Sequence, residues 1–291
     1  MDRFVYTSGI EQPLQAPIRS NLSDLIREAK QKNDSTYWSS MRKVFEEDFK
    51  TLPLDRFKAW ESTLSVPIMV RGRLHYYMGR SLSLAYKDSE WYKAIEEPMV
   101  GMSEQDYYQL FSLCDDYRTT MNRVQQAAHL ITCGFSKQDI RSFKSVVELG
   151  AGVGDMADIM IKLGFDGKYS IYDFPELNNI QRWYHNKLGY EGKVYYTDDY
   201  KNLCKSDLVI ATWSFTEMPF DLREQLLESI GESNNWLIAY SNQIFGMDNN
   251  KYIQEEFIPR FKNHDIRFID VPFMPWDGGT KYLVIRRNDT V

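Results

Sequence analysis

Cysteine and histidine are scarce in this 291-residue chain, with three Cys and four His. Cys114, Cys133 and Cys204 are scattered without ligand-like spacing, which excludes a disulfide framework and a structural zinc site. Long apolar runs are missing as well: the longest reach about five residues, far short of the roughly twenty that span a bilayer. Met1-Asp2-Arg3-Phe4 opens without the apolar core of a signal peptide, so a cytoplasmic protein away from membranes is expected. Positive charge is not in excess, since 35 Lys and Arg stand against 41 Asp and Glu for a formal −6. Gripping many phosphates requires a positive field, so broad nucleic-acid binding is not expected. Clustered carboxylates and histidines of the kind that hold a divalent cation are also not evident, and no metal is expected.

What is present is an ordinary globular composition, 43% apolar and 26% charged, with an aromatic share of 14%. Residues 1–18, with Pro13 and Pro17, read as an N-terminal arm. Residues 19–140 read as a helical region punctuated by Pro53, Pro67, Gly72, Gly79, Pro98 and Gly101. Its clearest helix is expected to start at Ser103, where Ser103 and Asp106 make a capping-box-like pair. The apolar stripe Tyr107, Phe111, Cys114, Tyr117, Met121, Val124, Ala128 and Ile131 then runs to a stop at Gly134.

From 141 to 291 the pattern changes to strands alternating with helices. Strands are expected at 145–149, 168–172, 193–196, 207–213, 236–241, 266–271 and 281–286. Helices are expected at 153–163, 176–188, 222–232 and 250–262. Such β–α alternation gives a parallel sheet covered on both faces. The last two strands have no helix between them and pair as an antiparallel hairpin at the edge. The expected fold is α/β: a Rossmann-like, seven-stranded mixed sheet with a helical N-terminal region.

The sharpest local signal is Glu148-Leu149-Gly150-Ala151-Gly152-Val153-Gly154, directly after the first strand. Gly150, Gly152 and Gly154 permit a tight turn and close backbone approach by a ligand, and a helix N-terminus follows. The spacing departs from the dinucleotide fingerprint G-x-G-x-x-G. Glu148 at the strand tip would repel a pyrophosphate and suit a cationic amino-acid group. That favours S-adenosylmethionine (SAM), which has an α-amino group, a sulfonium and no phosphate. Asp173, 19 residues past Gly154 at the end of the second strand, is placed to accept ribose hydroxyls, with Phe174 to cover an adenine. Asp198 and Asp199, after the third strand, are candidates for the adenine amino group or for a solvated turn. The fourth strand ends in Thr212-Trp213-Ser214-Phe215-Thr216-Glu217-Met218-Pro219. Ligands of open α/β sheets bind at such strand ends, so this segment is the expected floor of the site.

The glycine loop, Ile171-Tyr172-Asp173-Phe174-Pro175-Glu176-Leu177, Gln181-Arg182-Trp183-Tyr184 and Trp213-Ser214-Phe215-Thr216-Glu217-Met218 together resemble the class I SAM-dependent methyltransferases. More narrowly, they resemble the sugar O-methyltransferases, with Phe174 where that family often has Leu. The likeness covers about residues 120–290. It implies methyl transfer from SAM to a hydroxyl of a sugar or glycan, leaving S-adenosylhomocysteine (SAH). An alcohol must lose a proton, and Glu217, His129 and His75 are the candidate bases. His185 reads as a surface residue and His264 as remote. Arg71 and Arg73 would grip the phosphates of a nucleotide-linked sugar. Phe215, Trp183, Tyr184 and Trp276 would offer aromatic faces to a small-molecule or glycan acceptor. Arg123 and Gln125 are candidates for the SAM carboxylate. Two other readings stay open: methylation of another small molecule, and a catalytically silent SAM-fold binding or scaffold protein.

Overall fold

The computed structural model describes residues 37–58, 88–102, 119–271 and 279–288. Before the sheet come α1 (Tyr37–Thr51), a 3₁₀ turn (Leu54–Arg56), α2 (Ser89–Ile95), α3 (Met121–Thr132) and α4 (Lys137–Ser142). The alternating region follows as β1 (Ser145–Leu149), α5 (Asp155–Lys162), β2 (Lys168–Tyr172), α6 (Pro175–Lys187) and β3 (Val194–Thr197). It continues with β4 (Leu208–Thr212), α7 (Phe220–Ile230), β5 (Asn235–Ser241), β6 (Gln243–Ile244), β7 (Met247–Asp248) and α8 (Asn249–Tyr252). The chain closes on β8 (His264–Asp270) and β9 (Thr280–Arg287). No helix among the described residues is long and apolar enough to cross a membrane.

The main sheet has the order β3-β2-β1-β4-β5-β9-β8. β1 to β5 pair in parallel, whereas β9 runs antiparallel to β5 and to β8. This is the expected Rossmann-like mixed sheet, and its order reverses between β1 and β4. In open sheets of this kind ligands bind at that reversal, beyond the carboxyl ends of the strands. Alternate residues of β1 serve opposite layers. Val146 packs with Met156, Ile159 and Met160 of α5 and with α2 and α3, while Val147 and Leu149 pack with Leu226, Leu227 and Ile230 of α7. The core therefore runs without interruption across residue 140: Trp91, Ala94, Val124 and Ala127 share it with Val146 and Leu208.

Three elements depart from the sequence expectation. The long helix expected from Ser103 is interrupted, because Thr120 is extended (φ −105°, ψ 159°) and α3 begins at Met121. The threonine hydroxyls are engaged elsewhere, Thr119 with Ile95 O at 2.7 Å and Thr120 with Glu97 at 3.1 Å. Residues 103–118, which carry the first half of the expected stripe, lie outside the described residues, as do residues 1–36. The helix expected at 250–262 is α-helical only to Tyr252, then widens to a π turn and tightens to a 3₁₀ turn. Pro259 lacks an N–H and crowds the preceding turn, which accounts for the rewinding. Between β6 and β7, Phe245 and Gly246 both have positive φ (50° and 74°), as a two-residue hairpin turn requires. Phe-Gly is a weak turn signature, and this small hairpin was not expected.

Candidate functional site

The glycine loop joins β1 to α5 at the point where the strand order reverses. Gly150 has φ 70°, and a Cβ there would lie 2.5 Å from Ser214 Cβ, so only glycine lets the end of β4 cross so close. Ser214 in turn donates its hydroxyl to Leu149 O. Gly154, at φ 92°, is the N-cap of α5, and a Cβ there would lie 2.7 Å from the His185 ring. His185 Nε2 donates to Gly154 O at 2.9 Å, so Nδ1 of the neutral ring accepts from Tyr196 OH at 2.7 Å. Burial pushes its pKa down and keeps it neutral. The ring is fully buried, which corrects the expectation of a surface histidine.

Asp173 stands at the end of β2 and faces this loop. Its carboxylate accepts from Gly152 N (3.2 Å), Phe174 N (2.8 Å) and Gln181 Nε2 (2.9 Å). Burial raises its pKa to about 6 against the pull of those donors. Gln181 also donates to Gly152 O at 2.8 Å, so one amide ties the loop to the second strand. Its Oε1 is buried with no hydrogen-bond partner among the described residues. The Gln-Arg-Trp-Tyr segment held this residue, but only the helix register shows that it points into the loop.

Glu148 is not at an open strand tip. As an even-numbered β1 residue it faces the layer under α5, where it is buried and accepts from Tyr169 OH at 2.7 Å. Burial raises its pKa to about 8, so the carboxyl is largely protonated at neutral pH. This corrects the expectation that its charge faces a ligand. Asp198 and Asp199 are both exposed, and Asp199 caps a short turn by accepting from Lys201 N at 3.0 Å.

Past β4, Trp213 adopts φ 70°, unusual for a residue with a side chain. Its amide donates to Ala239 O at 2.9 Å, and its ring lies edge-on to His129 with centroids 6.4 Å apart. Its Nε1 is buried with no hydrogen-bond partner among the described residues. His129 is itself fully buried, shares a 2.6 Å hydrogen bond with Tyr282 OH, and is pushed down to about 3 by desolvation. Such a ring backs Trp213 and takes up no proton near neutral pH, which corrects its place among the candidate bases.

Phe215 is fully buried among Trp236, Tyr252 and Phe257, and so is a core residue rather than an acceptor platform. Glu217 is half-buried in the same 3₁₀ turn (Phe215–Glu217). The turn is held from behind by Arg223, which donates to Thr216 O (2.7 Å) and Met218 O (2.8 Å). Arg223 is buried under the rings of Phe215, Phe220 and Tyr252, and desolvation lowers its pKa to about 10. Its sequence position on a polar-looking helix gave no hint of this.

Beneath the loop lies a buried cluster of charges. Lys58 Nζ donates to Asp155 (2.8 Å), Glu97 (2.8 Å) and Tyr184 OH (3.0 Å). Arg123 pairs with Asp155 at 3.0 Å and Asp158 at 2.6 Å. Lys162 pairs with Asp158 at 2.9 Å, and Tyr190 OH donates to it at 2.7 Å. Lys58, Arg123 and Lys162 thus balance Glu97, Asp155 and Asp158. The pattern had no sequence signature, because its members come from segments far apart. It corrects two expectations: Arg123 is occupied inside the protein, and Tyr184 is a fully buried member of the cluster. Trp183 packs edge-on against Phe57, at 5.8 Å between centroids. Arg71, Arg73, His75 and Trp276 lie outside the described residues.

No protein-family model matches the chain, and no curated protein matches it. Solved structures similar to part of it include a protein from Thermoplasma acidophilum, 17% identical over 58% of this chain and 91% of its own (TM-score 0.41). An O-methyltransferase family protein from Burkholderia thailandensis is 12% identical over 59% of this chain and 58% of its own (TM-score 0.40). Magnesium protoporphyrin IX methyltransferase from Synechocystis, solved with SAM bound, is 13% identical over 57% of this chain and 82% of its own (TM-score 0.43).

Proposed function

We propose that this protein is a SAM-dependent methyltransferase that transfers the methyl group to a hydroxyl of a sugar or glycan. The observation that carries the reading is the Asp173 carboxylate bonded to the Gly152 amide at the switch point. A helix N-terminus in this position would otherwise attract phosphate. Here the Gly152 amide is already taken by Asp173, while Asp155 and Asp158 in the first turn of α5 are charge-balanced by Lys58, Arg123 and Lys162. The crevice thus offers acceptors, Asp173 and the unpartnered Gln181 Oε1, which suit hydroxyl and cationic donors better than a pyrophosphate.

SAM, which has ribose hydroxyls and an α-amino group to donate, fits those acceptors, and when bound it supplies an electrophilic methyl on a sulfonium. Asp173 would accept the ribose hydroxyls. Phe174, Asp198 and Asp199 would meet the adenine end. The backbone of Gly150, Gly152 and Gly154 with Trp213 and Ser214 would line the amino-acid end. In an in-line displacement most of the rate comes from positioning, and the acceptor oxygen must still give up a proton. With His129 fully buried and only weakly basic, Glu217 is the base favoured among the described residues. The sugar or glycan acceptor rests on the resemblance of the Tyr-Asp-Phe-Pro-Glu and Ser-Phe-Thr-Glu-Met segments, and Arg71, Arg73 and Trp276 are proposed to meet it.

Calorimetry with SAM, SAH and NAD tests the cofactor. SAM and SAH should bind and NAD should not; binding of NAD alone, or of none, would sink the reading. Transfer of labelled methyl is then screened over free sugars, nucleotide sugars, glycans and phenolic small molecules. Transfer to phenols only would replace the acceptor class, and SAH binding without any transfer would favour a silent binding protein.

A further inference from the structure

The segment from α1 to Lys58 lies along α6, and both of its ends reach the cofactor side of the fold. At one end Arg42 forks onto Glu176 in the first turn of α6, with Nη2–Oε1 at 3.0 Å and Nε–Oε2 at 3.4 Å. The same guanidinium lies 5.1 Å from the Phe174 ring centroid, and Trp38 packs on that ring at 6.0 Å. Asp198, exposed past β3, adds its charge near Arg42. Phe174 follows directly on Asp173, so α1 holds the ring at the carboxyl end of β2.

At the other end Phe57 is fully buried, edge-on to Trp183 and Tyr184. It shares a cluster with Val153 of the glycine loop, against which Phe49 and Leu52 also pack. Lys58 then donates its amide to Gly101 O at 2.9 Å and completes the charge balance at Asp155, one residue after Gly154. One continuous segment therefore touches the loop and the residue beside the ribose acid, without itself supplying either.

We propose that residues 37–58 form a strap that positions the cofactor site, with Arg42 the positioning residue for Phe174 and Lys58 the one for the glycine loop. This rests on the reading of the crevice as a SAM site. Docking of the strap and binding of cofactor are then linked, so each favours the other. Arg42 is the cleaner probe, because it is partly exposed and its loss should spare the fold.

The test measures SAH affinity by calorimetry for the wild type, Arg42→Ala, Arg42→Lys and Glu176→Gln, with hydrogen exchange of residues 37–58 followed with and without SAH. Removing a half-exposed ion pair and a cation–π contact should weaken SAH by about three- to tenfold. Arg42→Lys should recover part of that loss, and SAH should slow exchange across the strap. Unchanged affinity in Arg42→Ala and Glu176→Gln, or exchange indifferent to SAH, overturns the strap while leaving the SAM site standing. Failure of the wild type to bind SAH overturns both together.

Discussion

Replacing Lys58 with methionine tests the buried charge cluster most directly. The side chain keeps its length and apolar stem and loses only the ammonium. Its three partners, Asp155, Glu97 and Tyr184, are all buried. Removing one member of a buried ion pair typically costs about 3–5 kcal/mol, because the partner charge is stranded. Asp155 retains Arg123 at 3.0 Å and Asn122 at 2.9 Å, and Glu97 retains Thr120 at 3.1 Å. The cost should therefore fall near the lower bound, about 3 kcal/mol, or a fall in Tm of roughly 5 °C at this size. Urea unfolding gives the free energy. The loss should persist in about 0.5 M salt, since buried pairs are poorly screened. Lys58→Met combined with Glu97→Gln, which restores neutrality, should be less destabilised than Lys58→Met alone. The pH dependence has a fixed sign. Burial alone would raise the Asp155 pKa, but Lys58 and Arg123 hold it well below the usual range. Its contribution is present above the unfolded value and is lost as pH falls through the folded one. Burial opposes the Lys58 charge, yet Asp155 and Glu97 carry its pKa above the usual value. That contribution is present below the unfolded value and is lost as pH rises through the folded one. A Lys58→Met cost under about 1 kcal/mol, the scale of an exposed pair, would refute the reasoning.

Glu148 should act in the opposite sense. Its pKa of about 8 means that ionisation opposes folding between its unfolded value and that pH, so stability falls as pH rises through this window. Glu148→Gln should be more stable than wild type at about pH 8 by at least ~1 kcal/mol and should flatten the slope, as pH-resolved urea curves would reveal. SAH affinity should rise with pH through about 6, where Asp173 ionises, and Asp173→Asn should bind weakly without that pH dependence. A wild-type affinity flat from about pH 5 to 7 would take the ribose role from Asp173. Arg223→Met should release the Thr216 and Met218 carbonyls, lowering methyl transfer more than SAH affinity; equal effects on both would mark Arg223 as purely structural. Gly154→Ala must displace the His185 ring and should cost about 1–3 kcal/mol of stability, with SAH affinity reduced; a neutral outcome in both would show that the loop tolerates a side chain there.

The frame of this protein was legible in its amino-acid pattern. Short apolar-rich runs between turn signals placed β1 and β2 residue for residue. The short spacing between the last two strand patterns pointed to the antiparallel edge. Gly150, Gly152 and Gly154 between a strand and a helix marked the crevice, and Asp173 at the next strand end faces it. These features are local: each follows from the backbone freedom or hydrophobic period of a few consecutive residues. Which of the neighbouring side chains turn into the interior follows from tertiary packing. Glu148, His129, Tyr184 and Phe215 sit beside the predicted site in sequence, yet alternation along a strand or a turn of helix carries each into the core. Lys58, Glu97, Arg123 and Asp155 look like ordinary charges in four separate segments. Their meaning comes from long-range packing, because only a shared desolvated volume makes such distant charges depend on one another.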